Sequence, residues 1–265
     1  MTEQAKQIVA IDVGNSTTAV CLIQPSTLNF DRTWRVSSCA DRPADEWRSL
    51  LMPLLEGAVS RTNAIVGAVI ASVVPPATRS LTELVRDWFD VELVVVDARS
   101  DLGIEVVVDH PLEVGADRLV NAVGALHIFG APSIIVDAGT ATKIDVISAR
   151  NEFLGGAIAP GIGIGLEALA ARAARLYAVE TVPPRRIIGR NTVEAVQSGL
   201  VLGHVAMVEG MIERVCIELG FAPPVIVTGG FGEILAGAMQ LDTRLVPHLT
   251  LIGAACVWSR EMVGA

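Results

Sequence analysis

Two short segments of the sequence carry residues whose types and spacing could do chemistry. Each places an Asp, any residue, a Gly and then small polar residues between two apolar strands: IDVGNSTT at 11–18 and VDAGTAT at 136–142. A glycine in such a turn lets the backbone bend tightly and brings its N–H groups close to a ligand. Hydroxyl groups add uncharged donors at Ser16, Thr17, Thr140 and Thr142. The two turns are therefore candidate phosphate-binding loops.

The carboxylates of Asp12 and Asp137 need a different role, because a negative charge repels phosphate. A carboxylate at this position could hold a metal ion that in turn binds phosphate, and magnesium is the usual choice. Two such loops could then grip a polyphosphate from both sides. The other interpretation is that each segment is simply a hairpin with turn-forming residues. The residues of the two turns leave both interpretations open.

The two segments also indicate how the chain is organised. Aligning Asp12 with Asp137 superposes the glycines that follow them, and places Thr17 on Thr142, at an offset of 137 − 12 = 125 residues. This offset is close to half of the 265-residue chain. An internal duplication, with one turn near the start of each half, is the economical interpretation.

Strand and helix patterns alternate along both halves, which predicts the α/β class. The GIGIG run at 161–165 has the wrong spacing for a dinucleotide-binding loop, and we expect a packing loop there. Apart from the two hairpins, the predicted strands are 65–74, 91–96, 152–158 and 225–228. The predicted helices are 47–59, 78–89, 115–130, 166–176, 192–219, one starting at 233, and 250–259.

Composition excludes several classes of protein. Hydrophobic residues make up 51% of the chain and the mean hydropathy is +0.52, yet no run reaches the roughly 20 apolar residues that a membrane-spanning helix needs. The net charge of −9 argues against nucleic-acid binding, which requires a basic surface. Neither the four cysteines nor the four histidines have metal-ligand spacing. The chain enters a strand almost at once, without a signal peptide, so we expect a cytoplasmic protein.

Eight ordered motifs make the chain resemble one protein family over almost its full length. The chain is similar to the type III pantothenate kinases, which belong to the superfamily of acetate kinase, sugar kinases, heat-shock chaperones and actin. The motifs are IDVGNSTT (11–18), ASVVPP (71–76), PLEVGADRLVNAVGA (111–125), VDAGTAT (136–142), FLGGAIAPGI (153–162), IGRNTVEAVQSG (188–199), VTGGFG (227–232) and LTLIGA (249–254).

The resemblance implies a fold, an activity and partners. The expected fold is α/β, with duplicated ribonuclease H-like (actin-like ATPase) domains at residues 1–115 and 116–265 and ATP bound in the cleft between them. The implied reaction transfers the γ-phosphoryl group of ATP to the primary hydroxyl of pantothenate, which is the first step of coenzyme A biosynthesis. Magnesium and a monovalent cation, potassium or ammonium, are the expected cofactors. A homodimer that shares its pantothenate site across the interface is the expected assembly, with no nucleic-acid or membrane partner.

The resemblance also assigns roles to residues. Asp117 matches the base that accepts the hydroxyl proton, and Arg118 beside it would hold pantothenate's polar groups; by pattern alone this pair could equally be a solvated helix start. Asp12 is expected near magnesium and Asp137 near the monovalent cation. The pantothenate pocket is expected to use Val74, Val108, Gly115, Ala116 and the partner's Thr192. The ATP-binding loops are expected to use Asp12, Val13, Gly14, Asn15, Ser16, Thr17, Gly139, Thr140, Ala141, Thr142, Gly229 and Gly230.

Two residues depart from the family pattern. Val108 stands where the family usually carries a Tyr that packs on pantothenate, so the pocket wall is expected to be weaker or reshaped. Lys143 stands where Thr is common. One hypothesis places Lys143 harmlessly on the outer face of its strand, and the other places its ammonium at the cation site in place of the monovalent ion. A third possibility is that these changes mark an altered substrate or lost catalysis.

Three functions are therefore compared. The leading one is a pantothenate kinase, because Asp12, Asp117, Arg118 and both phosphate loops are retained. The second is a non-catalytic accessory or regulatory homologue that keeps the fold. The third is a kinase for a different small hydroxyl substrate, although sugar and acetate kinases are usually longer and lack the GADR segment at 115–118.

Overall fold

The computed structural model describes residues 5–30, 32–56, 63–172 and 179–264 of the chain. The chain forms two compact units, the first comprising Met1–Ile128 with Leu249–Ala265 and the second comprising Phe129–His248. Each unit is built on its own β-sheet with helices packed against it. The predicted α/β class is confirmed.

The sheet of the first unit has its strands in the order β3-β2-β1-β4-β5. β1 pairs antiparallel with β2, and β2 with β3, whereas β4 and β5 are added in parallel. The strand bounds are β1 Ala5–Val13, β2 Thr17–Ile23, β3 Thr33–Ser37, β4 Asn63–Ser72 and β5 Glu92–Val95. The short β6 at Glu105–Val106 is not part of this sheet.

The second unit repeats this order. Its strands run β9-β8-β7-β10-β11, so that the third, second, first, fourth and fifth strands of the unit lie side by side, as in the first sheet. The strand directions repeat as well, with two antiparallel pairs and two parallel ones. This confirms the duplication and the ribonuclease H-like fold. The bounds are β7 Ser133–Ala138, β8 Ala141–Ile147, β9 Glu152–Pro160, β10 Val225–Thr228 and β11 Thr243–Leu245.

Helices connect and cover the strands. α2 begins with two prolines, which suit the first helical turn because its N–H groups have no partner within the helix. A π-helical segment, Ser198–Leu202, separates α5 from α6 within the stretch that was predicted as continuous helix. The bounds are α1 Ala44–Glu56, α2 Pro75–Phe89, α3 Ala116–Phe129, α4 Ile162–Arg172, α5 Thr192–Gln197, α6 Gly203–Leu219, α7 Gly232–Ala238 and α8 Leu249–Gly264.

Both faces of the first sheet are covered. On one face, α1 and α2 contribute Trp47 and Leu81 to a core with Ile70 of β4. On the other face, α3 and α8 contribute Leu119 and Trp258. Strands buried on both sides can be apolar throughout, which explains why β1 and β4 lack polar alternation. In the second unit, α6 and α7 cover the sheet face that carries alternate residues of β7 and β8.

The division into units differs from the predicted domains at 1–115 and 116–265. α3 and α8 both pack their apolar faces on the first sheet, so they belong to the first unit although they follow the predicted boundary. The chain therefore leaves the first unit near residue 128 and returns to it at residue 249. Sequence order alone did not reveal this return.

Other local predictions also need correction. The GIGIG run is not a loop, since Ile162–Arg172 forms α4 and the run supplies its first turn. β3, β6 and β11 were not predicted, because they are short and none of their residues is fully buried, so they lack an apolar pattern. The predicted helix ends at 59 and 176 lie outside the described residues.

Candidate active site

The first turn closes the hairpin of β1 and β2. The Gly14 N–H donates to the Thr17 carbonyl at 3.1 Å, which sets a tight three-residue bend. Asn15, Ser16 and Thr17 face solvent, and Asp12 is half-buried at the end of β1. The predicted loop thus presents polar groups outward beside a carboxylate, as phosphate and magnesium binding would require.

The second turn has the same construction but is one residue shorter. The Gly139 N–H donates to the Ala141 carbonyl at 3.1 Å, and Thr140 faces solvent. The strand register pairs Val13 with Thr18 in the first hairpin, but Ala138 with Thr142 in the second. The sequence alignment of Thr17 with Thr142 is therefore one residue out. The extra residue of the first turn makes Thr18 the structural counterpart of Thr142.

Both of these threonines are buried and hydrogen-bonded. Thr18 Oγ1 lies 2.8 Å from the Ser38 hydroxyl, and Thr142 Oγ1 lies 2.8 Å from Nε2 of His204 on α6. Burial lowers the pKa of His204 below its ordinary value of 6.5. Sequence reasoning gave His204 no role, because 62 residues separate it from Thr142 and no local pattern links them. The structure makes His204 the residue that fixes the strand following the second turn.

Three glycine-containing segments meet at the second turn. Gly229 has φ +93, and a Cβ there would lie 2.6 Å from the Ala138 carbonyl and 2.6 Å from Asp137 Oδ1. Gly161, at the start of α4, donates its N–H to the Thr140 carbonyl at 3.1 Å, and a Cβ there would overlap that carbonyl. Gly230 is exposed, with open space around its Cα. Gly229 and Gly161 therefore both pack against the second turn, a contact that the sequence did not predict, whereas the expected role of Gly229 and Gly230 in ATP binding stays a prediction.

Lys143 lies directly across the hairpin from Asp137. The two residues are register partners, and Lys143 Nζ is 2.8 Å from Asp137 Oδ2. Their side chains are only 17% and 12% exposed, respectively. The placement of Lys143 on an outer, solvent-facing side of its strand is therefore wrong, whereas its effect on activity stays a prediction. The ammonium lies beside the carboxylate that the resemblance assigns to a monovalent cation.

Asp117 lies in the first turn of α3, next to the carboxyl ends of β1 and β4. Its Oδ1 accepts the Arg118 N–H at 2.8 Å. A Cβ on Gly115 would lie 2.6 Å from this oxygen and 3.2 Å from Val73 Cγ1, so only glycine leaves room for the carboxylate. The Val73 N–H in turn donates to the Val13 carbonyl at 3.1 Å. Asp117 and the first turn therefore lie at the same end of the first sheet.

The predicted pocket residues of the first unit are mostly covered. Val74 and Ala116 are 8% and 5% exposed, and Val108 is half-buried before the 3₁₀ turn at Pro111–Glu113. Thr192, in the second unit, is exposed as the first residue of α5, where the Asn191 side chain caps the helix by accepting the Glu194 N–H at 2.9 Å. Thr192 borders a groove of about 740 Å³.

The described residues form no complete set of protein ligands for a metal ion, but they fit the needs of magnesium. No group of three or more His, Cys, Asp or Glu side chains in the described ranges could by itself hold a metal ion. Magnesium does not need one, since one or two carboxylates with phosphate oxygens and water commonly complete its octahedron. Asp12, beside a solvent-facing turn, fits that role.

No helix among the described residues is long and apolar enough to cross a membrane.

The comparisons of sequence with known proteins agree on one family. A sequence model described as type III pantothenate kinase matches residues 8–214. A type III pantothenate kinase of Frankia alni is 42% identical over 256 residues, covering 96% of this chain and all of the relative. A conserved Baf family protein of Campylobacter jejuni superposes with a TM-score of 0.61 at 18% identity, covering 97% of this chain and 100% of that one. The polyphosphate/ATP-glucomannokinase of an Arthrobacter strain superposes with 0.52 at 13% identity, covering 98% and 100%. The two structural likenesses bear on the fold.

Proposed function

The chain belongs to the type III pantothenate kinase family, and from this membership we propose a role for each residue of the site. The protein uses ATP to phosphorylate pantothenate, which is the first step of coenzyme A biosynthesis. The first unit supplies the base and the carboxylate for magnesium. The turns at 14–17 and 139–142 supply the phosphate-binding backbone. We place the reaction in the cytoplasm.

Asp117 is the base that receives the proton of the pantothenate hydroxyl. The observation that carries this role is that Gly115 leaves space for the Asp117 carboxylate at the sheet end where the first turn lies. A carboxylate is an adequate base here, because proton transfer can come late in a loose transition state. The adjacent Arg118 binds the polar groups of pantothenate, since its planar fork of donors fixes orientation.

The two turns bind the phosphates of ATP. The exposed hydroxyls of Ser16, Thr17 and Thr140, with backbone N–H groups of the same turns, do this without formal charge, which matters in a chain whose net charge is −9. The Thr142 hydroxyl, which was also expected to bind ATP, is instead buried against His204. Asp12 holds magnesium, which when bound neutralises charge on the phosphate oxygens. Gly229 and Gly230 let the backbone approach the nucleoside. This arrangement explains ATP binding by an acidic protein.

Pantothenate is held against Val74, Val108, Gly115 and Ala116. Three of these side chains are small and the fourth is a single hydrogen, so they form an apolar wall without an aromatic ring. We expect Val108, in place of a Tyr, to weaken the packing on pantothenate and to raise its KM. Restoring the ring by Val108→Tyr should lower that KM and leave the KM for ATP unchanged.

The active form is a homodimer in which Thr192 reaches the partner's pantothenate site. The second unit supports this with large apolar side chains left exposed: Ile158, Ile164, Leu169, Ile187, Ile188 and Val193.

Mixing two variants in one dimer tests this directly. Thr192→Arg and Asp117→Asn proteins, each inactive alone, should regain turnover when co-refolded, because one site of the mixed dimer is intact. No recovery from a mixed dimer would place both residues in one protomer.

A coupled assay with ATP, magnesium and pantothenate tests the function itself. Asp117→Asn should lose about 10²–10⁴-fold in kcat with unchanged melting temperature, since a positioned base contributes that much. Asp87→Asn, an exposed carboxylate on α2, is the matched control. A folded wild-type dimer without turnover would instead favour the accessory homologue or a different hydroxyl substrate.

A further inference from the structure

We infer that the Lys143 ammonium is a built-in cation that neutralises Asp137, so that the second phosphate-binding turn works without a bound monovalent ion. The inference rests on the proposed function, because it concerns how that turn binds ATP. It concerns a single positioning residue, which acts on phosphate binding through Asp137.

The structure places a cation, the Lys143 ammonium, directly beside the Asp137 carboxylate. Lys143 Nζ is 2.8 Å from Oδ2, and the opposite oxygen, Oδ1, faces the Gly229 backbone. Two monovalent cations at one carboxylate would repel each other at short range. The residues present at Asp137 therefore do not fit an added potassium or ammonium ion. The ammonium of Lys143 carries the same charge as either ion.

Burial also favours keeping Lys143 and Asp137 together as an ion pair. Both side chains are mostly buried, and a buried carboxylate without a partner would face a large desolvation penalty. Asp137 lies immediately before the second turn, where an unneutralised negative charge would repel phosphate. Lys143 removes that repulsion from a position on the neighbouring strand that is set by backbone register.

The choice of residue type supports a cation-like role. The chain has 20 Lys and Arg residues, of which only Lys6 and Lys143 are lysines, so 20 − 2 = 18 are arginines. An arginine would bring a planar fork of donors, whereas the ammonium is a compact point charge on a flexible stem. Lys143 is therefore one of only two positions at which the chain carries the compact cation instead of arginine.

Binding of ADP with magnesium, measured by calorimetry, tests the inference apart from catalysis. The titrations use potassium, sodium and tetramethylammonium salts at equal ionic strength. Wild-type protein should give the same Kd in all three. Lys143→Thr removes the charge and leaves room for an ion, so its Kd should rise on the order of tenfold in tetramethylammonium and recover in potassium. Lys143→Met removes the charge but fills the space, so its Kd should be weak in every salt.

Lys6→Met is the matched control, because Lys6 is the other lysine and is exposed on β1. It should bind as the wild type does. A wild-type Kd that depends on potassium, or a Lys143→Thr Kd equal to the wild-type value in tetramethylammonium, would overturn the inference alone. If a Lys143 variant fails to fold, the wild-type titrations in the three salts test the inference by themselves. Absence of ADP binding in every salt would overturn the proposed function as well.

Discussion

Replacing Gly229 by Ala tests whether the second turn depends on close backbone packing. Gly229 has φ +93, which L residues rarely adopt. A methyl group there would lie 2.6 Å from the carbonyl carbon and oxygen of Ala138 and from Asp137 Oδ1. The Ala138 carbonyl cannot simply move, since it accepts the Phe231 N–H at 2.9 Å. The substitution must therefore strain the loop, displace the turn, or both.

The cost has two parts that can be estimated separately. Holding a residue with a Cβ in left-handed backbone space costs roughly 1–2 kcal/mol. Forcing an added methyl against close-packed atoms costs about 1–3 kcal/mol more. Gly229→Ala should therefore lower the free energy of unfolding by roughly 2–5 kcal/mol. Because the displaced atoms belong to Asp137 and Ala138, the KM for ATP should also rise.

Urea unfolding at neutral pH measures the first effect, with Gly230→Ala as the matched control. Gly230 has open space where a Cβ would stand, so its substitution should change stability by no more than about 0.5 kcal/mol. Steady-state kinetics measures the second effect, and Gly237→Ala on α7 is the control for it. Equal unfolding free energies for the Gly229 and Gly230 variants would refute the packing argument.

Two further predictions concern the second unit. Burial lowers the pKa of His204 below 6.5, so just below that pH the unfolded chain binds more protons than the folded chain. The free energy of unfolding should therefore decrease as the pH falls through this range. His204→Gln removes the titrating group and should flatten this pH dependence. An unchanged profile in that variant would contradict the burial argument. Asn191→Ala removes the helix cap that Asn191 Oδ1 provides and should cost about 0.5–2 kcal/mol in urea unfolding, whereas Asn191→Asp should keep the cap and the stability.

The hairpins and most helices could be predicted because their signals are local. Apolar strands on either side of an Asp-x-Gly turn fix β1–β2 and β7–β8 within a few residues of their observed bounds. The burial of both sheet faces in the first unit gives long apolar runs that are easy to recognise. The position of Asp117 was recoverable for a similar reason, since helical spacing sets the start of α3.

Contacts between distant segments could not be predicted in the same way. His204 reaches Thr142 from a helix that begins 61 residues later in the chain, and no periodic pattern connects the two. Gly161 looked like part of a loop because its neighbours are small and apolar, yet its role depends on the Thr140 carbonyl beside it. The return of α8 to the first sheet likewise depends on tertiary packing of Trp258 and its neighbours.

The two duplicated hairpins differ at the register position opposite their aspartates, and under the proposed function this difference separates the roles of the two carboxylates. Asp12 pairs across its hairpin with Ala19, which carries no charge, whereas Asp137 pairs with Lys143. The register position opposite Asp12 therefore offers no ammonium to its carboxylate. A carboxylate opposite an ammonium is neutralised and attracts a divalent ion far less. Under the proposed function, this one difference on the second strand would let the first turn bind magnesium while the second turn binds phosphate beside a neutralised carboxylate.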